Sequence, residues 1–124
     1  MPYHNLDVFK KSYALSLEVH RLSLSFPRFE EQELGRQLRK ASKSITANLV
    51  EGMARQKSPR DLIRFLRDSL GSCDETRLWL DYAKDLGYAN AAKHAEWIDR
   101  YCEVGRMLNG LISRWSREGV SSSL

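Results

Sequence analysis

The chain has 124 residues, a formal net charge of +4, 42% hydrophobic and 29% charged residues. These values are typical of one globular domain and exclude a wholly disordered chain. No apolar run approaches the ~18–20 residues of a membrane span, and no signal-peptide stretch begins the chain, so we expect a cytoplasmic protein without membrane contact. Two cysteines, Cys73 and Cys102, with no CxxC pair exclude a disulfide scaffold or a zinc site, and we interpret both as free structural thiols.

Two amphipathic helices are predicted in the first half of the chain. The first runs from Asn5 to Ser25 and ends before Pro27, because the residue before proline avoids helical geometry. Its apolar face is Leu6, Phe9, Tyr13, Leu17, His20 and Leu24, widened on one side by Val8, Leu15, Val19 and Leu22. The second helix is predicted to begin near Glu30, with three glutamates complementing the positive end of its dipole. Its inward seam is Leu34, Leu38, Ala41, Ile45, Asn48 and Gly52.

Two further helices follow, each with a recognisable start. The third is predicted from Pro59 to Leu86, with Ser58 as the N-cap residue and Gly87 as the C-terminal stop. The fourth is predicted to begin after Asn90, a suitable cap residue. Its apolar arc is broad enough to indicate burial against a second subunit as well as the bundle. We expect the domain to cover residues 1–117 and residues 118–124 to form a frayed tail.

Four amphipathic helices with short connections predict an all-α fold, an antiparallel up-down-up-down four-helix bundle. A pair of helical hairpins exchanged between protomers is the alternative. No internal repeat or long linker divides the chain.

Several polar residues lie beside the inward seams of the second and third helices. Buried polar groups require hydrogen-bond partners, so we predict a network that fixes the register of these two helices. Its members are Ser44, Asn48, Glu51, Ser72 and Glu75. The alternative is an acid pair for general acid/base chemistry. No nucleophile or Glu-x-x-His motif accompanies the carboxylates, so we predict no catalytic residue, metal ion or cofactor.

The charge is unevenly distributed along the chain. Residues 36–67 contain nine basic and two acidic side chains, a net charge of +7, which leaves −3 for the remainder. Helical spacing places these cations in stripes, a pattern that favours contact with phosphates, although a solvated surface is the alternative. The predicted nucleic-acid contacts are Arg39, Lys40, Lys43, Arg55, Lys57, Arg60, Arg64 and Arg67.

Several short motifs resemble those of the bacterial four helix bundle proteins first noticed as products of intervening sequences in 23S ribosomal RNA genes. They include Phe26-Pro27, Gln37-Leu38-Arg39, Glu51-Gly52, Gly71-Ser72 and Leu86-Gly87-Tyr88. Ser69 departs from the alanine expected there, and Gly35 replaces a stronger helix former. The resemblance covers the chain from Leu6 to about Trp115.

This resemblance implies a ring-like homopentamer. It also implies a relation to accessory proteins of diversity-generating retroelements, which bind nucleic acid and a reverse transcriptase. The leading hypothesis is a non-enzymatic, oligomeric accessory protein that binds the backbone of RNA or DNA, with a reverse transcriptase or another protein as partner. The alternative is a structural scaffold that binds proteins and no nucleic acid, and an enzyme comes third.

Overall fold

The computed structural model describes residues 2–123 and the side chains of residues 2–117. A short 3-10 turn over Tyr3–Asn5 precedes five α-helices. These are α1 (Asp7–Leu24), α2 (Arg28–Glu31), α3 (Leu34–Met53), α4 (Pro59–Asp85) and α5 (Ala91–Ser123). The described residues contain no strand, so the all-α prediction is confirmed.

The four long helices form an up-down-up-down bundle, in which α1 packs on α3, α3 on α4, α4 on α5, and α5 closes the ring against α1. The directions follow from contacts between helices. Arg39 on α3 reaches Ser23 near the end of α1, and Lys11 near the start of α1 reaches Glu103 on α5. Near the middle of the α3–α4 pair, the Ser69 hydroxyl donates to the carbonyl of Ile45 at 2.7 Å. These contacts close the bundle within one chain.

The core is formed by the apolar stripe of each long helix. Leu15 and Val19 of α1 share one core cluster with Leu38, Ile45 and Leu49 of α3, and the stripes of α4 and α5 complete it with Leu62, Leu66, Leu80, Tyr101, Val104 and Leu108. Among residues 2–117, six serine and threonine side chains are also buried, and five of them donate to a carbonyl of their own helix. Ser69 differs, because its bond crosses to α3 and fixes the level at which α4 meets that helix.

The region between α1 and α3 differs from the prediction of one helix starting near Glu30. Pro27 begins the one-turn helix α2, and Glu33 then has non-helical dihedral angles (φ −103°, ψ −92°) before α3 starts at Leu34. The carbonyl of Glu31, at the end of α2, accepts a hydrogen bond from the Arg39 guanidinium at 3.0 Å. A side chain eight residues ahead therefore stabilises a break that local periodicity does not show.

The connections around α4 confirm three predicted signals. Gly87 has a φ of +85°, and the amides of Gly87 and Tyr88 donate to the carbonyls of Lys84 and Ala83, the bond pattern of a Schellman motif. The Asn90 side chain accepts from the Lys93 amide at 2.8 Å and caps α5. Ser58 is the N-cap residue of α4 and Pro59 occupies its first turn, as predicted, although the Ser58 side chain makes no cap bond.

Candidate nucleic-acid interface

The basic segment 36–67 divides into two clusters at opposite ends of α3, which is about 30 Å long. The turn cluster lies at the α3–α4 connection and consists of Arg55, Lys57, Arg60, Arg64 and Arg67. The outer cluster lies near the start of α3 and consists of Arg36, Arg39, Lys40 and Lys43. The two clusters are separated because α3 and α4 are antiparallel. The start of α4, which carries the arginines of the turn cluster, therefore lies beside the C-terminal half of α3 and not beside its start.

All five basic side chains of the turn cluster are exposed. On α4, Arg60, Arg64 and Arg67 recur at four- and three-residue steps, which places them on the side opposite the buried residues Leu62 and Leu66. They line an open groove of about 900 Å³ together with Ser58, Asp61 and Asp68. The fold therefore directs three guanidinium groups of one helix face into solvent.

An aromatic ring joins the two halves of the turn cluster. The Arg55 and Arg64 guanidinium carbons lie 5.0 Å and 4.8 Å from the centre of the half-buried Phe65 ring. Phe65 can reach α3 because Gly52 has no side chain, and a Cβ atom there would lie 3.2 Å from the Cβ of Phe65. Close approach at Gly52 thus brings Arg55, which follows the end of α3, beside Arg64 of α4.

Carboxylates only partly offset this positive charge. Arg55 pairs with Glu51 at 3.3 Å on the surface, and Asp61 and Asp68 flank the arginines of α4. Among the residues with described side chains, Lys57, Arg60, Arg64 and Arg67 take part in no ion pair. Four cations of the turn cluster are therefore free to bind an external anion.

The outer cluster is arranged differently. The half-buried Arg39 donates to the Ser23 hydroxyl at 2.8 Å and to the Glu31 carbonyl at 3.0 Å, so it bridges α1, α2 and α3. The Lys43 ammonium group lies 2.8 Å from Nδ1 of His20 on α1. Burial of the His20 ring, followed by the nearby Lys43 and Arg39 charges, lowers the pKa of His20. Lys40 is exposed, whereas Arg39 is engaged in holding the fold.

The predicted polar network between α3 and α4 is wrong for the side chains whose bonds are described. Asn48 donates to the Ser44 carbonyl, Glu51 pairs with Arg55, and Glu75 accepts from Trp79, each within one helix. Glu51 and Glu75 are exposed, whereas Ser44, Asn48 and Ser72 are half-buried. The described side-chain hydrogen bond that joins the two helices comes from Ser69 instead.

Residues 4–110 match the 23S rRNA-intervening sequence proteins. The chain belongs to this family. A comparison with curated proteins finds no match. Among solved structures, the chain is similar to a protein with unknown function of the S23 ribosomal protein family from Bacteroides thetaiotaomicron VPI-5482. The TM-score is 0.76 at 21% identity, covering 86% of this chain and 95% of the other, which supports the same fold.

In this 23S rRNA-intervening sequence protein, both basic clusters lie inside the matched residues. Cys73 is buried, and its burial raises the pKa of its thiol to about 11, which disfavours the nucleophilic thiolate. The hydroxyl of Tyr101 is buried without a hydrogen-bond partner, and burial raises the pKa of this phenol. Within the described residues, no three His, Cys, Asp or Glu side chains are placed to hold a metal ion.

No helix among the described residues combines the length and the apolar composition that crossing a bilayer requires.

Sequence reasoning missed two links between α1 and α5. Glu18 accepts hydrogen bonds from the Trp97 indole at 3.2 Å and from both terminal nitrogens of Arg100 at 2.9 Å and 2.5 Å. The Arg100 bonds are the main cause of the lowered pKa of Glu18. A carboxylate on α1 and a cation 82 residues later have no shared local pattern, so only the closed bundle reveals the pair.

Proposed function

We propose that this chain is a non-enzymatic, oligomeric accessory protein of the cytoplasm that binds the phosphate backbone of RNA or DNA through the turn cluster. The observation that carries the proposal is the exposed set of Lys57, Arg60, Arg64 and Arg67, none of which is ion-paired with a side chain of residues 2–117. Arginine and lysine at this density attract the anionic backbone and release its counterions.

The geometry favours backbone contact over the reading of bases. Phe65 is the aromatic residue that contacts the turn cluster, and its ring is already covered by the Arg55 and Arg64 guanidinium groups. Stacking of bases requires accessible aromatic faces, which this surface does not offer. We therefore expect affinity with little sequence preference.

Repetition of the cluster strengthens this proposal. In the homopentamer that we propose, five copies of the turn cluster contact one nucleic acid, and avidity multiplies contacts that are weak singly. A reverse transcriptase or another protein that acts on the same nucleic acid is the proposed partner of such an accessory module.

The test compares the wild-type chain with a turn variant in which Arg60, Arg64 and Arg67 are replaced by Gln. Fluorescence anisotropy with a duplex RNA and a duplex DNA, over a salt series, gives the affinity and its salt dependence. We expect the turn variant to bind more weakly and its log–log salt slope to fall by up to about 3 per bound subunit, one for each lost phosphate contact.

The matched control removes three exposed cations of α5, through Lys93→Gln, Arg106→Gln and Arg114→Gln. It has the same net charge as the turn variant, so a general charge effect lowers the affinity of both variants equally. Absence of binding at low salt, or equal loss in the two variants, contradicts the proposal.

A scaffold function is the second candidate, and a specific observation favours it. The large side chains Tyr13, Leu24, Tyr82 and Leu86 are 50% to 54% exposed. Apolar surface of this kind is typical of protein contacts. Binding of neither duplex, combined with stable self-association, supports the scaffold over the nucleic-acid-binding function.

A further inference from the structure

Apart from Phe29, the large hydrophobic side chains that remain exposed among residues 2–117 fall into two separate stripes. The α1 stripe is Tyr13, Leu17 and Leu24, which are 38% to 54% exposed. The α4 stripe is Leu78, Tyr82 and Leu86, which are 47% to 52% exposed. Phe29 on α2, at 71%, lies at the same end of the bundle as the α4 stripe, where Tyr88 donates to Glu30. Both stripes repeat at helical spacing, so each is a continuous ridge.

The α1 stripe has a basic border. Lys10 and Arg21 flank it on α1, and Lys43 approaches it from α3 through the contact with His20. The two carboxylates of α1 lie elsewhere, since Asp7 is in the first turn and Glu18 is turned towards α5. The one carboxylate of α3, Glu51, pairs with Arg55 beside α4. This face therefore presents apolar side chains with cations and no carboxylate partner.

The α4 stripe has a predominantly acidic border. Glu75, Asp81 and Asp85 are exposed beside it, and Glu75 has no cationic partner among the described ion pairs. Asp81 contacts His94 of α5, Asp85 lies 3.8 Å from Lys84, and Asp74 pairs with Arg77. Residues 74–86 thus contain four acidic and two basic side chains, a net charge of −2.

The two stripes are on different faces of the molecule. Their helices, α1 and α4, stand at opposite corners of the bundle, because α1 and α4 each pack on α3 and α5. A single chain cannot bring its own two stripes together. A second copy can, because it offers a ridge of similar length with the complementary charge.

We propose that the α1 stripe of one copy packs against the α4 stripe of a second copy, with the basic border of the first facing the acidic border of the second. The inference rests on the proposed oligomer and names its two faces. Since the two faces differ, the contact is heterologous, and it leaves one free stripe at each end of a pair. Repetition of such a contact gives a ring if the rotation closes and an open filament if it does not.

The experiment reverses the charge of each border separately in the full-length chain. The acidic-α1 variant contains Lys10→Glu and Arg21→Glu, and the basic-α4 variant contains Glu75→Lys and Asp85→Lys. All four side chains are exposed, so circular dichroism is expected to show unchanged helix content. Native mass spectrometry at micromolar concentration is expected to show an assembly for the wild type and monomers for each variant alone.

Mixing the two variants supplies the decisive measurement. The acidic α1 border of one variant now matches the basic α4 border of the other, and the unchanged borders still match each other. We expect the mixture to assemble again into species with an even number of subunits, in which the two variants alternate, because a ring of five would contain at least one mismatched contact. Charge reversals on α5, Arg106→Glu and Asp99→Lys, are the matched controls, and they are expected to assemble as the wild type does.

Each other outcome overturns the inference, and the outcomes are distinguishable. A monomeric wild type contradicts both this interface and the proposed oligomer, whereas nucleic-acid binding is tested separately by the turn variant. Assembly of both charge-reversed variants alone contradicts the interface and leaves the oligomer standing. A mixture that stays monomeric contradicts the pairing of these two stripes.

Discussion

In the turn cluster, Arg60, Arg64 and Arg67 extend into solvent without an ion-pair partner, whereas Arg39 in the outer cluster is held by Ser23 and the Glu31 carbonyl. The sequence presents both groups as one run of positive charge. The difference arises from the neighbours, because Arg39 faces the α1–α2 connection and the arginines of α4 face no other helix. Exposed charge without partners indicates a binding surface, and charge with two internal partners indicates a structural role.

Replacing Arg39 is expected to have the largest effect on stability. Arg39→Gln removes two hydrogen bonds from a charged donor and leaves the Glu31 carbonyl without its partner, so we expect a loss of about 2 kcal/mol in the free energy of unfolding. Arg64→Gln is the matched change in the turn cluster, where the expected loss is below about 0.5 kcal/mol. Urea unfolding followed by circular dichroism measures both, and equal losses would remove the distinction between the clusters.

A smaller effect is expected at Gly52, which lets Phe65 bring the two parts of the turn cluster together. The added Cβ of Gly52→Ala would lie 3.2 Å from the Cβ of Phe65 and 3.3 Å from the Leu62 carbonyl oxygen. Neither atom moves without a shift of α4, so we expect a net loss of about 1 kcal/mol despite the better helix propensity of alanine.

Gly71 provides the opposite case on the same helix pair. A Cβ there meets nothing within 4 Å, so Gly71→Ala is expected to stabilise the chain by up to about 1 kcal/mol. Thermal unfolding of the two alanine variants tests the difference in sign. A stabilised Gly52→Ala variant would show that the close approach at Gly52 does not constrain the turn cluster.

The smallest expected effect is a change in the pKa of His20, which lies beside Lys43 of the outer cluster. The pKa of His20 is lowered in the folded chain, so the unfolded chain binds a proton more readily, and folding stability falls as the pH drops below the unfolded value of about 6.5. Lys43→Gln removes one cause of the lowering, so we expect the His20 pKa to rise and the acid sensitivity to lessen. NMR titration of the imidazole measures the shift, and an unchanged pKa would assign the whole effect to burial and Arg39.

The sequence was sufficient to predict the four long helices, because each has a clear apolar stripe and a terminal signal such as Pro59, Gly87 or Asn90. It was insufficient for features that depend on a distant neighbour. The break at Glu33 is stabilised by Arg39, and the exposure of Glu51 depends on how far α4 covers α3. Helical spacing predicts the direction in which a side chain points from its helix axis. It does not predict which residues of a neighbouring helix that side chain contacts.

The closing interface between α1 and α5 is the smallest of the four interfaces between long helices. Its surface is held by Lys11 with Glu103 and by Glu18 with Arg100, so its bonds are more accessible to water than the apolar contacts of α3 and α4. Local opening of the bundle is therefore expected to begin at this seam, with backbone amides of α1 exchanging with deuterium before those of the α3–α4 hairpin. The turn cluster is carried by that hairpin, so it remains assembled during such an opening.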